Sequence, residues 1–357
     1  MVETETTELA RPIPGLETVE PVQPAGERRW IERGPSGKLM LFSGRSNPDL
    51  AAKIAEQLGI QLGDVELKTF ANGETYCRYR ESIRGADVFI VQSCSPPVND
   101  HLIELLIMID AAKLASAHRI TAVMPWYPYS RQDKKSSPRE PITAKLVAEL
   151  LQASGVDRVL TMDLHAGQIQ GFFTIPVDHM TALPLFAKYY RDKGLHGDGI
   201  VAVSPDPGRA KLAGKFGEML DADLAILNKT RPAHDVAAVT QVIEPPAGVR
   251  GKIAIMSDDI IVTGGTLIAG TKALLEAGAT EVYACATHAL LPPDVFEKIG
   301  ASRLTEVAVT DTVPVDILRQ PANMRVLSIS TLLAETVQNV FSDESVSALF
   351  PGGNQLF

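Results

Sequence analysis

The sequence predicts an α/β protein of two units, each a mostly parallel sheet flanked by helices. Short apolar runs of strand length alternate with helix-length amphipathic segments along most of the chain. At 357 residues the chain is long enough for two domains of ordinary size. The polar motifs fall just after the apolar runs, at the carboxyl ends of strands, where parallel sheets bind their ligands.

Residues 1–37 are rich in Glu, Thr, Pro and Gly without periodicity, which predicts a mostly disordered extension. Order is expected to begin at the apolar run Lys38–Phe42. Pro48 and Asp49 then open a helix whose Leu50, Ile54 and Leu58 share one face. Strands are expected at Ala86–Gln92, Arg119–Met124 and Arg158–Met162, with helices at Leu102–Ala115 and Thr143–Ala153. The alternation repeats in the second half. Strands are expected at Ile200–Ser204, Asp223–Leu227, Lys252–Met256, Glu281–Thr287 and Glu306–Thr310, and helices at Gly208–Leu220 and Leu267–Ala277. The expected units are residues 38–185 and 186–350.

Composition excludes several classes. Hydrophobic content of 45% and charged content of 22% are those of a soluble globular protein. A net charge of -9 argues against a general binder of nucleic acid or anionic membrane. Cys77, Cys94 and Cys285 lie far apart without metal-ligand spacing, which fits a reducing cytoplasm and no disulfide framework. No apolar run approaches the ~20 residues that span a bilayer. The acidic N-terminus lacks a basic and then apolar leader, so no signal peptide is expected.

The most informative segment is Asp258-Asp259-Ile260-Ile261-Val262-Thr263-Gly264-Gly265-Thr266, between a strand pattern and a helix pattern. Free N–H groups and the helix dipole favour a phosphate there, and the threonine hydroxyls can donate to it. The paired carboxylates can accept from vicinal sugar hydroxyls or share a divalent cation with them. A capped strand followed by a plain turn is the competing account of Thr-Gly-Gly-Thr, and the acids fixed upstream favour a phosphorylated sugar.

Other motifs are weaker alone. Phe70-Ala71-Asn72-Gly73-Glu74 reads as a hairpin tip whose Phe either stacks on a base or anchors the loop. Pro125–Lys135 brings aromatics and then Arg131, Gln132, Asp133, Lys134 and Lys135 to a strand end, as a polyphosphate clamp or an aromatic-capped loop. His165, after Asp163-Leu164, is either a structural histidine or a metal ligand if another ligand converges. Asp206, in Ser204-Pro205-Asp206, offers one, and histidine with a carboxylate suits Mg²⁺ shared with substrate phosphates. Lys229 and Arg231 end a strand before a patternless stretch. They are either solvated charges or cations that close over a transferring phosphoryl group.

In family order, residues 38–350 carry FANGE, SRQDKK, ITAKLVAELL, DLHAGQIQGFF, PVDH, SPD, KTRP, DD…TGGT and ATHALL. With these the chain resembles the ribose-phosphate pyrophosphokinases, also called phosphoribosyl pyrophosphate synthetases, of the phosphate-regulated class. The resemblance implies two phosphoribosyltransferase-like domains with the active site between them, in a cytoplasmic homo-oligomer, a hexamer built from dimers. It implies transfer of diphosphate from ATP to the C1 hydroxyl of ribose 5-phosphate, with Mg²⁺ as cofactor. Phe70, Asn72 and Glu74 would hold adenine from the adjacent subunit, and Arg131, Gln132 and Asp133 would line the ATP site. His165 and Asp206 would place the metal, and Lys229 and Arg231 would act on the transferring diphosphate. Asp258 and Asp259 would hold the ribose hydroxyls, with Thr263, Gly264, Gly265 and Thr266 on the 5-phosphate.

The chain departs from the family at Val262, where an acid usually precedes Thr-Gly-Gly-Thr. Losing such a carboxylate near the sugar costs on the order of 2–4 kcal/mol of transition-state stabilisation. Two alternatives follow from that change: a specialised paralogue using another sugar phosphate, or a catalytically weak regulatory subunit of a synthetase complex. The segment Thr310–Asp316 matches only partly, with Val315-Asp316 where hydroxyl residues are common, and ordinary inhibition by ADP is not expected.

Overall fold

A computed structural model describes residues 31–33, 37–230, 239–243 and 248–346. The first half contains β1 (Ile31–Arg33), β2 (Gly37–Ser43), α1 (Pro48–Gln57), β3 (Val65–Thr69), β4 (Thr75–Tyr79) and β5 (Asp87–Val91). It continues with α2 (Val98–Leu114), β6 (Arg119–Met124), α3 (Thr143–Ser154), β7 (Arg158–Met162) and β8 (Val177–Met180). After α4 (Leu183–Asp192), the second half contains β9 (Ile200–Ser204), α5 (Ala210–Met219), β10 (Asp223–Thr230), β11 (Val239–Ile243) and β12 (Ile253–Ile261). Then come α6 (Gly265–Glu276), β13 (Glu281–Ala289), α7 (Pro293–Gly300), β14 (Glu306–Thr310), β15 (Met324–Leu327) and α8 (Ser330–Phe341).

The first sheet has the order β1-β2-β5-β6-β7-β8 and the second β11-β10-β9-β12-β13-β14-β15, while β3 and β4 form a separate hairpin. Only the edge strands β1 and β11 pair antiparallel within the two large sheets. The expected alternation is therefore the observed one. Central strands are buried on both faces, which is why they read as unbroken apolar runs. In β2, Leu39 and Leu41 enter one core while Met40 and Phe42 enter another.

That first core is shared by both sheets. It joins Leu39, Phe89 and Leu160 of the first sheet to Phe186 and Tyr190 of α4, Leu333 and Val337 of α8, and Ala202, Ile255 and Ala308 of the second. Tyr190 adds a hydrogen bond of 2.7 Å to the Ala284 carbonyl on β13. The helix α8, last in the chain, packs on α1 near its beginning. The outer face of the first sheet is covered by α2 and α3, and that of the second by α6 and α7.

Beyond the elements the sequence pattern left out, such as β8, α4, α7, β15 and α8, two differences matter most. The strand expected to stop at Met256 continues as β12 to Ile261, because β13 keeps pairing with it through Asp258↔Ala286, Ile260↔His288 and Ile261↔Ala289. The acidic pair thus sits on the strand rather than after it. Within the expected N-terminal extension, Ile31–Arg33 add an antiparallel strand to β2; residues 1–30 and 34–36 lie outside the described residues.

A shared core predicts shared unfolding. Phe186→Ala should cost about 3–5 kcal/mol, and hydrogen exchange should show β7 and β12 losing protection at the same denaturant concentration. Retained protection of β12 after β7 has opened contradicts it.

Candidate active site

The site forms where β7, β9 and β12 end. The chain leaves β12 through Val262 and Thr263 and enters α6 at Gly265. Gly264, the N-cap, has φ +68°, and a Cβ there would lie 3.2 Å from Val295 Cγ1. An L side chain is disfavoured both by that backbone conformation and by the close neighbour. The reward is a tight turn that aims the first N–H groups of α6, which have no intrahelical acceptor, into a cleft. This cleft, of about 240 Å³, is lined by Asp258 through Leu267 together with Arg131, His165, Asp206 and Arg209. All six residues expected to bind the sugar phosphate line it.

A second cleft, of about 560 Å³, is lined by Arg131, Asp133, Lys134, His165, Gln168, Asp206, Arg209 and Lys211, among others. Arg131, His165, Asp206 and Arg209 line both clefts and so form the wall between them. Arg131, Lys134, Arg209 and Lys211 bring four cations to the second cleft beside Asp133, Asp163 and Asp206.

Asp259 organises that wall. Its side chain is 2% exposed. Its Oδ2 lies 2.7 Å from His165 Nδ1 and accepts from Arg209 as well. With Nδ1–H donated to the carboxylate, the lone pair of His165 Nε2 is presented for a metal or substrate. Arg209 also donates to the His165 carbonyl at 3.2 Å. Burial alone would raise the Asp259 pKa, but the hydrogen bond from His165 and the charge of Arg209 hold it well below the usual carboxylate range. Asp258 has no such partners. Burial and the adjacent Asp259 charge push it up to about 8. The two carboxyls titrate as a coupled pair, with Asp258 shifted up and Asp259 down.

Arg209 is the residue that sequence reasoning missed. Its signal was a cation following Asp206-Pro207-Gly208 at a strand exit, in a motif whose acid drew the attention. Asp206 is exposed and caps the short turn Pro207–Arg209, accepting from Arg209 N–H at 3.1 Å through Oδ1.

The remaining expected residues separate. Asp133 is buried and accepts from Gln168 Nε2 at 2.6 Å, on the wall of the second cleft. Gln132 lines neither cleft; its Oε1 accepts from Thr143 Oγ1 at 2.6 Å, holding the start of α3. Phe70, Asn72 and Glu74 form the tip of the β3–β4 hairpin, with Phe70 46% exposed. Glu74 borders a different depression, together with Arg45, Thr69 and His101. Lys229 lies near the end of β10; its side chain and the whole of Arg231 lie outside the described residues. Among the described residues, no three His, Cys, Asp or Glu side chains converge as a metal-sized cluster.

Comparison with known proteins places this arrangement. Residues 39–155 match the family model for the N-terminal domain of ribose phosphate pyrophosphokinase, and residues 228–351 that for the phosphoribosyl synthetase-associated domain. The chain is 49% identical over 312 residues to a ribose-phosphate pyrophosphokinase of Fusobacterium nucleatum, covering 87% of this chain and 98% of that one. It is 50% identical over 315 residues to one of Caldanaerobacter subterraneus, covering 88% and 98%. A crystal structure of phosphoribosylpyrophosphate synthetase from Mycobacterium smegmatis superposes with a TM-score of 0.79 at 43% identity, covering 85% of this chain and 99% of that one.

The split within the acidic pair has a pH signature. The folded-state pKa of Asp258, about 8, lies above the ordinary value of 3.8, so the fold favours its protonated form. That stabilisation is complete below the ordinary value and is lost as pH rises through the folded one. Carboxyl ¹³C NMR of the ligand-free protein should show Asp258 titrating near pH 8, and Asp258→Asn should abolish the corresponding loss of stability. An Asp258 that titrates as an ordinary exposed carboxyl contradicts the assignment.

Proposed function

The chain belongs to the ribose-phosphate pyrophosphokinase family, and from that membership we propose how its two clefts divide the family's reaction. It is an enzyme that transfers diphosphate from ATP to the C1 hydroxyl of ribose 5-phosphate, giving 5-phosphoribosyl 1-diphosphate and AMP. The relatives favour this activity over a paralogue for another sugar phosphate or a weak regulatory subunit.

The observation that carries the division of labour is the common wall of Arg131, His165, Asp206 and Arg209. Ribose 5-phosphate occupies the first cleft. Its phosphate meets Thr263, Gly264, Gly265 and Thr266 at the start of α6, and its hydroxyls meet Asp258 and Asp259. In its protonated form Asp258 donates to one sugar oxygen while ionised Asp259 stays committed to His165 and Arg209. ATP places its phosphates in the second cleft, against Arg131, Asp133 and Arg209. The C1 oxygen then attacks the β-phosphorus in line as the bond to the α-phosphate breaks and AMP leaves. Such a displacement needs positioning and charge neutralisation more than covalent help. Lys229 and Arg231 close on the same diphosphate from the end of β10. Gln132 acts from behind, through the start of α3.

Mg²⁺ fits the donor set. His165 has Nδ1 committed to Asp259, so Nε2 is its metal-facing atom, and Asp206 is an exposed carboxylate on the shared wall. Two protein ligands leave positions for water and phosphate oxygens, the usual arrangement for this ion. When bound, it neutralises charge on the diphosphate oxygens.

The hairpin tip with Phe70, Asn72 and Glu74 reaches the adenine of a neighbouring subunit in a homo-oligomer, a hexamer of dimers. Exposed apolar side chains on the outer helices, Ile103 and Leu114 of α2 and Leu146 and Leu150 of α3, support burial of that face between subunits. The units proposed are 38–185 and 186–350, divided within α4. A cytoplasmic location fits the three free cysteines. Among the described residues no helix is long and apolar enough to cross a membrane.

An assay coupled to AMP release, with ribose 5-phosphate, ATP and Mg²⁺, should show turnover; no activity with any pentose phosphate in folded protein rules the function out. Val262, which lines the sugar cleft, tests its chemistry. Val262→Asp should raise kcat/KM for ribose 5-phosphate by roughly tenfold or more, as one restored transition-state contact does. An unchanged value removes the missing-carboxylate argument.

A further inference from the structure

The motif Ala286–Leu291, ATHALL, has no part in the site described above, yet two of its side chains are buried directly behind that site. Thr287 and His288 are 3% and 0% exposed. They stand on β13 beside the acidic pair, since Ala286 pairs with Asp258 and His288 with Ile260. Both face across to the first sheet. Thr287 Oγ1 donates to Asp163 Oδ2 at 2.6 Å. His288 Nε2 donates to the carbonyls of Met162 at 3.2 Å and Asp163 at 3.3 Å.

Asp163 sits at the exit of β7, with His165 following. It is 6% exposed and has φ +31°, a left-handed conformation that a non-glycine residue keeps only when its surroundings hold it there. The surroundings do so from both halves of the molecule. Asp163 Oδ2 also accepts from Ala182 N–H at 2.8 Å, just before α4. The next peptide N–H, of Leu164, donates to His179 Nε2 at 2.8 Å.

The second sheet braces its own side of the contact. Thr310 Oγ1 donates to the Thr287 carbonyl at 2.6 Å, and Thr312 Oγ1 lies 2.9 Å from His288 Nδ1. Trp126, from the loop after β6, packs edge-on against the His288 ring with centroids 4.7 Å apart. The ends of β7, β13 and β14 are thus joined by buried hydrogen bonds, and the loop after β6 adds the edge-on ring contact.

We propose that Thr287 and His288 are positioning residues that lock the backbone leading into His165 against the second sheet, and so set His165 relative to Asp259 and the sugar cleft. The distance at stake is the 2.7 Å contact between His165 Nδ1 and Asp259 Oδ2, the point at which the two sheets meet inside the site. Asp163 takes part as the acceptor of the lock, its Oδ2 receiving both the Thr287 hydroxyl and the Ala182 N–H. The inference rests on the placement of His165 in the wall between donor and acceptor. That placement has its own test, since His165→Ala must by itself lower kcat.

Thr287→Val keeps the shape of the side chain and removes the hydroxyl that crosses between sheets. It should lower kcat about 10- to 100-fold, the scale on which sub-ångström misplacement acts, with KM for both substrates within about twofold. Thr287→Ser, which keeps the hydroxyl, should recover most of the rate. In a His165→Ala background the Thr287→Val change should add little, because the two act as one unit. Equal fold-losses in both backgrounds overturn the proposal, as does a kcat that stays at the parental value. A rate loss that serine fails to recover also counts against it. If Thr287→Val does not accumulate as folded protein, Thr312→Val probes the same lock through its His288 contact and is read by the same cycle. A His165→Ala enzyme with parental kcat instead removes the placement of His165 and leaves the Thr287 result to be read on its own.

Discussion

One carboxylate joins the two halves of this molecule at the candidate site. Asp259 reaches from the second sheet to His165 at the end of the first, and takes Arg209 from the turn after β9 onto the same oxygen. A buried, ionised carboxylate is tolerable only with such partners. Removing any one of the three leaves an uncompensated polar or charged group in the wall between two ligand clefts. Its neighbour Asp258 accepts the Asp259 N–H at 2.9 Å, and burial with the adjacent Asp259 charge raises its pKa. Two adjacent residues of one chemical type are thereby shifted in opposite directions by what faces them.

The rest of the fold serves to hold that contact in register. The two sheets share a core through α4 and α8, so they do not behave as beads on a string. On the carboxyl side of the sheets the apolar core gives way to the polar lock of Asp163, Thr287 and His288. Apolar packing resists separation but is tolerant of sliding, whereas a hydrogen bond fixes direction and distance. Placing directional contacts next to the site and apolar ones behind it puts the precision where transfer needs it. The glycine-bearing entry to α6 adds a tight turn on the same side of the cleft.

Much of this was legible in the residues. Double-sided burial wrote the central strands as unbroken apolar runs, and Asp-Asp and Thr-Gly-Gly-Thr come to line one cleft because they are close in sequence. Contacts between distant segments were not legible. Nothing near Arg209 indicates that it will meet residues 165 and 259, and nothing in ATHALL shows that Thr287 faces Asp163, which is 124 positions away. The end of β12 was misplaced for a related reason. Carboxylates on a strand look like a strand end until the partner strand is known to continue beside them. Gln132 shows the limit of proximity in sequence, since it shares a tripeptide with two cleft residues while its side chain holds the start of α3.

The central claim is that the two clefts are the acceptor and donor halves of one site, parted by the wall that Asp259 organises. A crystal structure with ribose 5-phosphate, a non-hydrolysable ATP analogue and Mg²⁺ tests it most directly. The sugar phosphate is predicted on residues 263–266, the analogue's phosphates beside Arg131 and Arg209, and the C1 oxygen facing the β-phosphorus across His165 and Asp259. A sugar phosphate bound elsewhere, or an analogue whose phosphates lie away from that wall, contradicts the account.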